Sequence, residues 1–191
     1  SDPTMFHPEK SGEGFRKRNG LEGKFLIAYA GAHGMSNDLG VVLDATNLLK
    51  DVDQIHFLFV GDGKEKSNLV QKAQRLDLNN VTFLPPVVKS EMHEVFSAVD
   101  ATLAILKPID VYKTTYPNKV FDGMAAGRPV VLAIDGVSRE VVEKYDAGIF
   151  TPPGDADGLA KTVLTLANDP DRAKLMGKNG RKAVQDHYNR I

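Results

Sequence analysis

The residues best placed to do chemistry lie between Thr114 and Val131, in the run TTYPNKVFDGMAAGRPVV. Thr114 and Thr115 stand just ahead of Pro117, whose fixed φ suits the first turn of a helix. Gly127 can end that helix in left-handed geometry, and Pro129 prevents its continuation. Val120, Phe121, Met124 and Ala125 supply an apolar face, while Asn118 and Asp122, four apart, share the other. Lys119 falls in the first turn, where a positive charge opposes the helix dipole and adds nothing obvious to stability. A lysine there makes sense if a phosphate docks on the free N–H groups of the helix start. A carboxylate one turn further on can accept hydrogen bonds from two hydroxyls, as on a ribose. The same run also reads as a plain amphipathic helix with a solvated polar face.

Three other loops carry weaker signals. Gly31-Ala32-His33-Gly34 holds two glycines that would let backbone N–H groups approach an anion, or simply turn the chain. His33 by itself reads as a polar turn residue rather than a catalytic one. Gly61-Asp62-Gly63-Lys64 is a second glycine turn, which reads equally as a seat for a ribose or phosphate and as a plain turn of the chain. Pro85-Pro86-Val87-Val88 is a stiff extended stretch whose backbone could read the edge of a base. Neither G-x-G-x-x-G nor G-x-x-x-x-G-K-[ST] occurs, so the dinucleotide fingerprint and the P-loop are both excluded.

The elements that must position these loops follow from the apolar pattern. Short apolar runs predict strands at 24–31, 54–61, 81–84, 101–106, 129–133 and 148–151. Between them, apolar residues at helical spacing predict helices at 38–49, with Asp38 as its cap, and at 66–76, 90–98, 117–126 and 137–144. Two more helices, 159–167 and 172–187, close the chain. Strands that are apolar throughout and alternate with helices define an α/β fold, a doubly wound parallel sheet of Rossmann-like type. Such a sheet binds its ligand where loops leave the carboxyl ends of the strands, which is where the glycine turns and Lys119 fall. Residues 1–22, rich in Pro, Gly and charge, read as a linker or flexible lead-in, and 23–191 as the domain.

Composition narrows the function classes. In 191 residues, 42% are hydrophobic and 26% charged, an ordinary globular balance. Lys plus Arg number 24 against 25 Asp plus Glu, a net charge of −1, which argues against a nucleic-acid partner. There is no cysteine, so disulfides, thiolate metal sites and cysteine nucleophiles are excluded. No metal-ligand cluster stands out. No run approaches the roughly 20 apolar residues that cross a bilayer, and no signal-peptide core opens the chain. A cytoplasmic location is expected.

The order and spacing of these motifs resemble the carboxyl-terminal, donor-binding domain of the retaining family-4 (GT4) glycosyltransferases with the two-domain GT-B fold. The likeness rests on Gly31 to Gly34, on Val60-Gly61-Asp62-Gly63, on Val81 to Leu84 before Pro86-Val87-Val88, and on Asp100 to Leu106. It continues through the block from Pro117 to Val131, which is its strongest part, Gly148 to Asp155, and Met176 to Arg181. The resemblance implies a nucleotide-diphosphate sugar as substrate, a UDP-sugar by expectation, with no separate cofactor or metal. It places Gly31, Ala32, His33 and Gly34 by the diphosphate and sugar, Gly61, Gly63 and Lys64 near the nucleoside, and Val87 and Val88 on the base. Asn118 and Lys119 would hold the diphosphate, Asp122 would bind the ribose, and Lys119 and Asp122 would be the catalytic pair.

Three departures from the family pattern stand out. Asp122 replaces the usual Glu, Thr114 stands where a second Glu faces the donor sugar, and Met35 to Gly40 lacks the usual basic residues. The phosphate charge is then expected to rest on the helix dipole and Lys119, aided by Lys64 or Lys113. The P-N-K spelling resembles transferases of bacterial surface-polysaccharide assembly. The chain is expected to be one half of a longer, membrane-associated enzyme whose acceptor domain lies on a missing amino-terminal half. Two other readings stay open: a GT-B-like UDP-sugar epimerase and a non-catalytic nucleotide-binding module.

Overall fold

A computed structural model describes residues 1–189. The chain runs α1 (Glu13–Arg18), β1 (Phe25–Ala30), α2 (Leu39–Leu48), β2 (Ile55–Val60), α3 (Lys66–Arg75), β3 (Val81–Leu84) and α4 (Met92–Ala98). It continues β4 (Ala101–Ile105), α5 (Asn118–Ala125), β5 (Val130–Ala133), α6 (Val137–Lys144), β6 (Gly148–Phe150), α7 (Ala156–Asn168) and α8 (Pro170–His187). Every strand and helix expected beyond residue 23 is present, with ends displaced by three residues at most. The expected domain end at Ile191 lies outside the described residues.

All six strands are parallel, in the order β3-β2-β1-β4-β5-β6. β1 pairs with β2 from Phe25↔Ile55 to Ala30↔Val60, then meets β4 on its other side at Ile27↔Ala101. The winding therefore reverses between β1 and β4, the switch point at which a doubly wound sheet opens a crevice. Because the strands are covered on both faces, they are apolar at nearly every position. Ile27, Tyr29, Phe57, Phe59, Leu103 and Ile105 pack under α2, α3 and α7. Leu26, Ala28, Leu58, Ala104, Val130 and Leu132 pack under α4, α5, α6 and α8.

Local chemistry sets the helix ends. Asp155 caps α7 through the Gly158 amide at 2.9 Å, and Asp169 caps α8 through the Arg172 amide at 3.1 Å. Asp38 does not act as expected. It precedes α2 in left-handed geometry (φ 50°, ψ 38°) and its side chain makes no capping bond. Pro117 sits one position earlier than expected, at the cap of α5 rather than inside its first turn.

Residues 1–22 differ from the flexible lead-in read from their composition. Few of them are apolar, but those few are anchors. Phe6 is 5% exposed and meets Phe96 edge-on at 5.2 Å, and Leu21 is 3% exposed. Arg16 donates to the carbonyls of Ala98 (2.9 Å) and Lys24 (2.6 Å) and pairs with Asp100 at 2.8 Å. Burying one Phe and one Leu contributes roughly 3–6 kcal/mol together, enough to offset ordering a few residues.

Candidate functional site

A cleft of about 440 Å³ opens at the carboxyl ends of β1, β2 and β3, beside the start of α5. That size lies in the range of small-molecule sites. Its polar part is built by Gly31, Ala32, Gly61, Asp62, Lys119 and Asp122, and Lys89 stands at its rim. Its apolar part is built by Met5, Phe6, Val87, Met92 and Phe96. One cleft thus offers a charged end and a greasy end, fit for a ligand with both.

Lys119 is the central charge. It sits in the first turn of α5, half-buried, because Val120 and Met124 behind it are drawn fully into the core. Its ammonium donates to the Tyr29 hydroxyl at 2.9 Å and lies 4.5 Å from the centre of that ring. Burial pushes its pKa down to about 8. The charge is therefore held at neutral pH but poorly solvated, a state that an arriving anion would relieve. Having no side chain, Gly31 leaves the space that the ends of Lys119 and Tyr29 take up. A Cβ there would lie 3.3 Å from both the Lys119 nitrogen and the Tyr29 oxygen.

Asp122 follows one helical turn later and also lines the cleft. Its Oδ1 accepts a hydrogen bond from the Ser1 hydroxyl at 2.7 Å, so a hydroxyl donor already fits against it. At the α5 start the Asn118 and Lys119 amides meet no side-chain cap, since Pro117 offers none, while the Val120 amide is already bonded to the Pro117 carbonyl at 3.1 Å.

Of the expected residues, Gly31, Ala32, Gly61, Val87, Lys119 and Asp122 are brought together around the cleft. The others stand apart. His33 is wholly buried, ringed by Tyr29 (5.8 Å), Phe59 (6.2 Å) and Phe83 (6.5 Å). Its Nδ1 is 3.0 Å from the Gly31 carbonyl, which only accepts, so Nδ1 carries the proton. Nε2 is left unpartnered, and burial holds the imidazole below its ordinary pKa. Gly63 is needed for the fold beneath the cleft, since a Cβ there would lie 2.5 Å from the His33 carbonyl oxygen. Gly34 borders a separate depression with Met35 and Lys72. Lys64 and Val88 are exposed and do not line the cleft.

The loop before α5 is likewise off the cleft wall. Thr114 and Thr115 turn their hydroxyls to the Val111 carbonyl at 3.2 and 3.3 Å, and Lys113 pairs with Asp110 at 3.0 Å. Pro117 and Asn118 start α5 without lining the cleft, and Asn118 is exposed. Neither Lys64 nor Lys113, expected to support the phosphate charge, lines the cleft, whereas Lys89 does. Sequence reading missed Lys89, the apolar group Met5, Phe6, Met92 and Phe96, and Tyr29. A phenol near the carboxyl end of a strand with no other polar side chain was the only signal for Tyr29.

An all-parallel sheet wound in this order, with an open cleft at its switch point, defines a Rossmann-like α/β domain of the GT-B kind. The chain belongs to the family of glycosyl transferases group 1, whose family model matches residues 12–183. It is 27% identical over 187 residues to the alpha-1,3/1,6-mannosyltransferase ALG2 of Dictyostelium discoideum, covering 88% of this chain and 43% of that protein. It spans about half the length, or less, of the curated relatives it matches. Among solved structures it is similar to Anabaena Alr3699/HepE in complex with UDP-glucose, with a TM-score of 0.86 and 21% identity over 99% of this chain and 52% of that one. It also matches the C-terminal domain of the group 1 glycosyl transferase LpcC from Francisella tularensis, with a TM-score of 0.85, 18% identity and full coverage of both chains. Among the described residues no helix is long and apolar enough to cross a membrane.

Proposed function

We propose that this domain binds a nucleotide-diphosphate sugar, a UDP-sugar, as donor for retaining glycosyl transfer in polysaccharide or glycolipid assembly. The observation that carries the reading is Lys119: a half-buried ammonium at the start of α5, one hydrogen bond spent on Tyr29, facing a side-chain-free glycine in an open cleft. In this reading the diphosphate lies between Lys119, the α5 amides and Gly31. The ribose hydroxyls replace the Ser1 hydroxyl on Asp122, and the base rests among Val87, Met92 and Phe96. Similar structures solved with UDP and UDP-glucose support the choice of nucleotide.

In the reaction, the bond from the sugar's anomeric carbon to the diphosphate breaks and its electron pair leaves with the diphosphate. An acceptor hydroxyl oxygen forms the new bond to that carbon, and its proton passes to the departing diphosphate. The charge gathered on the departing diphosphate is greatest in the transition state, where Lys119 and the helix amides stabilise it most. The acceptor is bound by a separate amino-terminal domain, so this domain alone binds donor and transfers nothing. The whole enzyme works in the cytoplasm, at the membrane face when its acceptor is a lipid.

A melting screen of nucleoside diphosphates and their sugars tests the reading. UDP and a UDP-sugar should raise the melting temperature of the wild-type domain and leave Lys119→Ala unmoved. Protection of both proteins alike, or of neither, would remove the site.

A further inference from the structure

We infer that Tyr29 is a positioning residue of the donor cleft, its hydroxyl holding the Lys119 ammonium against the turn at Gly31 and so setting where a diphosphate is bound. The inference rests on the reading of Lys119 as the partner of the diphosphate. Tyr29 is 1% exposed and does not line the cleft, so it acts through Lys119 rather than on the ligand.

The connection crosses the sheet. The Tyr29 ring packs in the core beneath α2, α3 and α7, whereas α5 packs on the opposite face. The phenol reaches past the carboxyl end of β1 and meets Lys119 at 2.9 Å. It therefore ties the two layers together at the point where the winding reverses.

Proton counting fixes the direction of each bond. A phenol has one proton, and that of Tyr29 is donated to the Ala32 carbonyl at 2.7 Å. Toward Lys119 it can then only accept. The ammonium has three N–H groups, and Tyr29 is its only hydrogen-bond partner among the described residues. Two N–H groups remain for the cleft, pointed by the bond that holds the third. The same phenol fixes the Ala32 carbonyl, and with it the turn through which Gly31 faces the lysine. Without the hydroxyl, the four-carbon stem of Lys119 is free to swing and the Ala32 carbonyl loses its donor.

A double-mutant cycle read by calorimetry with UDP tests this. Tyr29→Phe keeps the ring and should weaken UDP about five- to tenfold, less than the loss of a direct bond to a charged group because the hydroxyl acts only through Lys119. On a Lys119→Ala background the same change should weaken UDP less than about twofold, because no ammonium is left to place. Uridine, which lacks phosphates, should bind Tyr29→Phe as it binds wild type. Should Tyr29→Phe fail to fold, Tyr29→Met, which also lacks the hydroxyl and whose flexible side chain can adapt to the space left by the ring, goes through the same cycle. Unchanged UDP affinity in the hydroxyl-less protein, an equal loss on both backgrounds, or an equal loss for uridine would overturn the inference. If Lys119→Ala binds UDP as wild type does, or wild type does not bind it, the proposed function fails instead.

Discussion

The two glycine turns, Gly31 to Gly34 after β1 and Gly61 to Gly63 after β2, look alike in sequence and differ in what their glycines are for. Gly31 faces side-chain atoms, Lys119 and Tyr29, at 3.3 Å. Gly61 faces backbone. A Cβ there would lie 2.0 Å from the Gly31 carbonyl oxygen, and at Gly63 it would meet the His33 backbone from 2.5 Å. The His33 amide donates to Asp62 at 2.8 Å and its carbonyl accepts from the Glu65 amide at 2.9 Å, which stitches the turns together. The second turn is glycine-rich so that the first can lie on it, and the first is glycine-rich so that its surface stays open to the lysine. A glycine motif at a strand end therefore shows close approach but does not say whether ligand or protein does the approaching.

The largest expected effect breaks the second turn. Gly61→Ala forces a backbone shift at positive φ (145°) and should cost at least about 3 kcal/mol. In thermal unfolding that is a drop of roughly 6–12 °C for a domain of this size. Gly31→Ala also puts a side chain at positive φ (154°) and should cost about 1–3 kcal/mol, less than Gly61→Ala because its neighbours are the ends of side chains rather than backbone. Its effect should appear in UDP affinity, lowered about tenfold or more as the methyl displaces Lys119. Equal stability losses in the two variants would erase the distinction.

A third test uses the charge that only the first turn faces. Lys119 titrates near 8 when folded against 10.5 for a free lysine, so between those values the unfolded chain holds more protons and stability rises with pH. Below about pH 8 the buried charge costs stability in full. Lys119→Met should therefore be about 1–2 kcal/mol more stable than wild type in urea at pH 7, a figure discounted for the partial exposure of the lysine. The gap should close between about pH 8 and 10.5. UDP affinity of the wild type should fall as pH rises past 8, since the ammonium is lost. A flat stability difference across that range would contradict the burial of the charge. The smallest effect belongs to Lys64→Ala in the second turn, which should leave UDP affinity within about twofold of wild type, as expected of an exposed side chain off the cleft. A tenfold loss would return that turn to the binding surface.

The fold was legible because a parallel sheet buried on both faces demands apolar strands, and runs such as IHFLFV at 55–60 have no other reading in this context. The placing of Lys119 and Asp122 at one helix start was legible because Pro117 and Gly127 bound that helix in the sequence, and both residues line the cleft. The order of the folded lead-in was hidden by composition. Phe6 packs on Phe96, ninety residues further along, a partner that the composition of residues 1–22 does not announce. His33 misled for a related reason. Its position in a glycine turn pointed to the ligand, but the aromatic wall of Phe59 and Phe83 that buries it comes from two other strands. Thr114 misled because spacing along the chain cannot show a hydroxyl folding back onto Val111.

The most direct test of the account is a crystal structure of the domain grown with UDP. The diphosphate should lie against Lys119 and the amide groups that open α5, with the ribose hydroxyls on Asp122 in place of the Ser1 hydroxyl. A nucleotide bound elsewhere, or this cleft left empty while UDP saturates the protein, would contradict it.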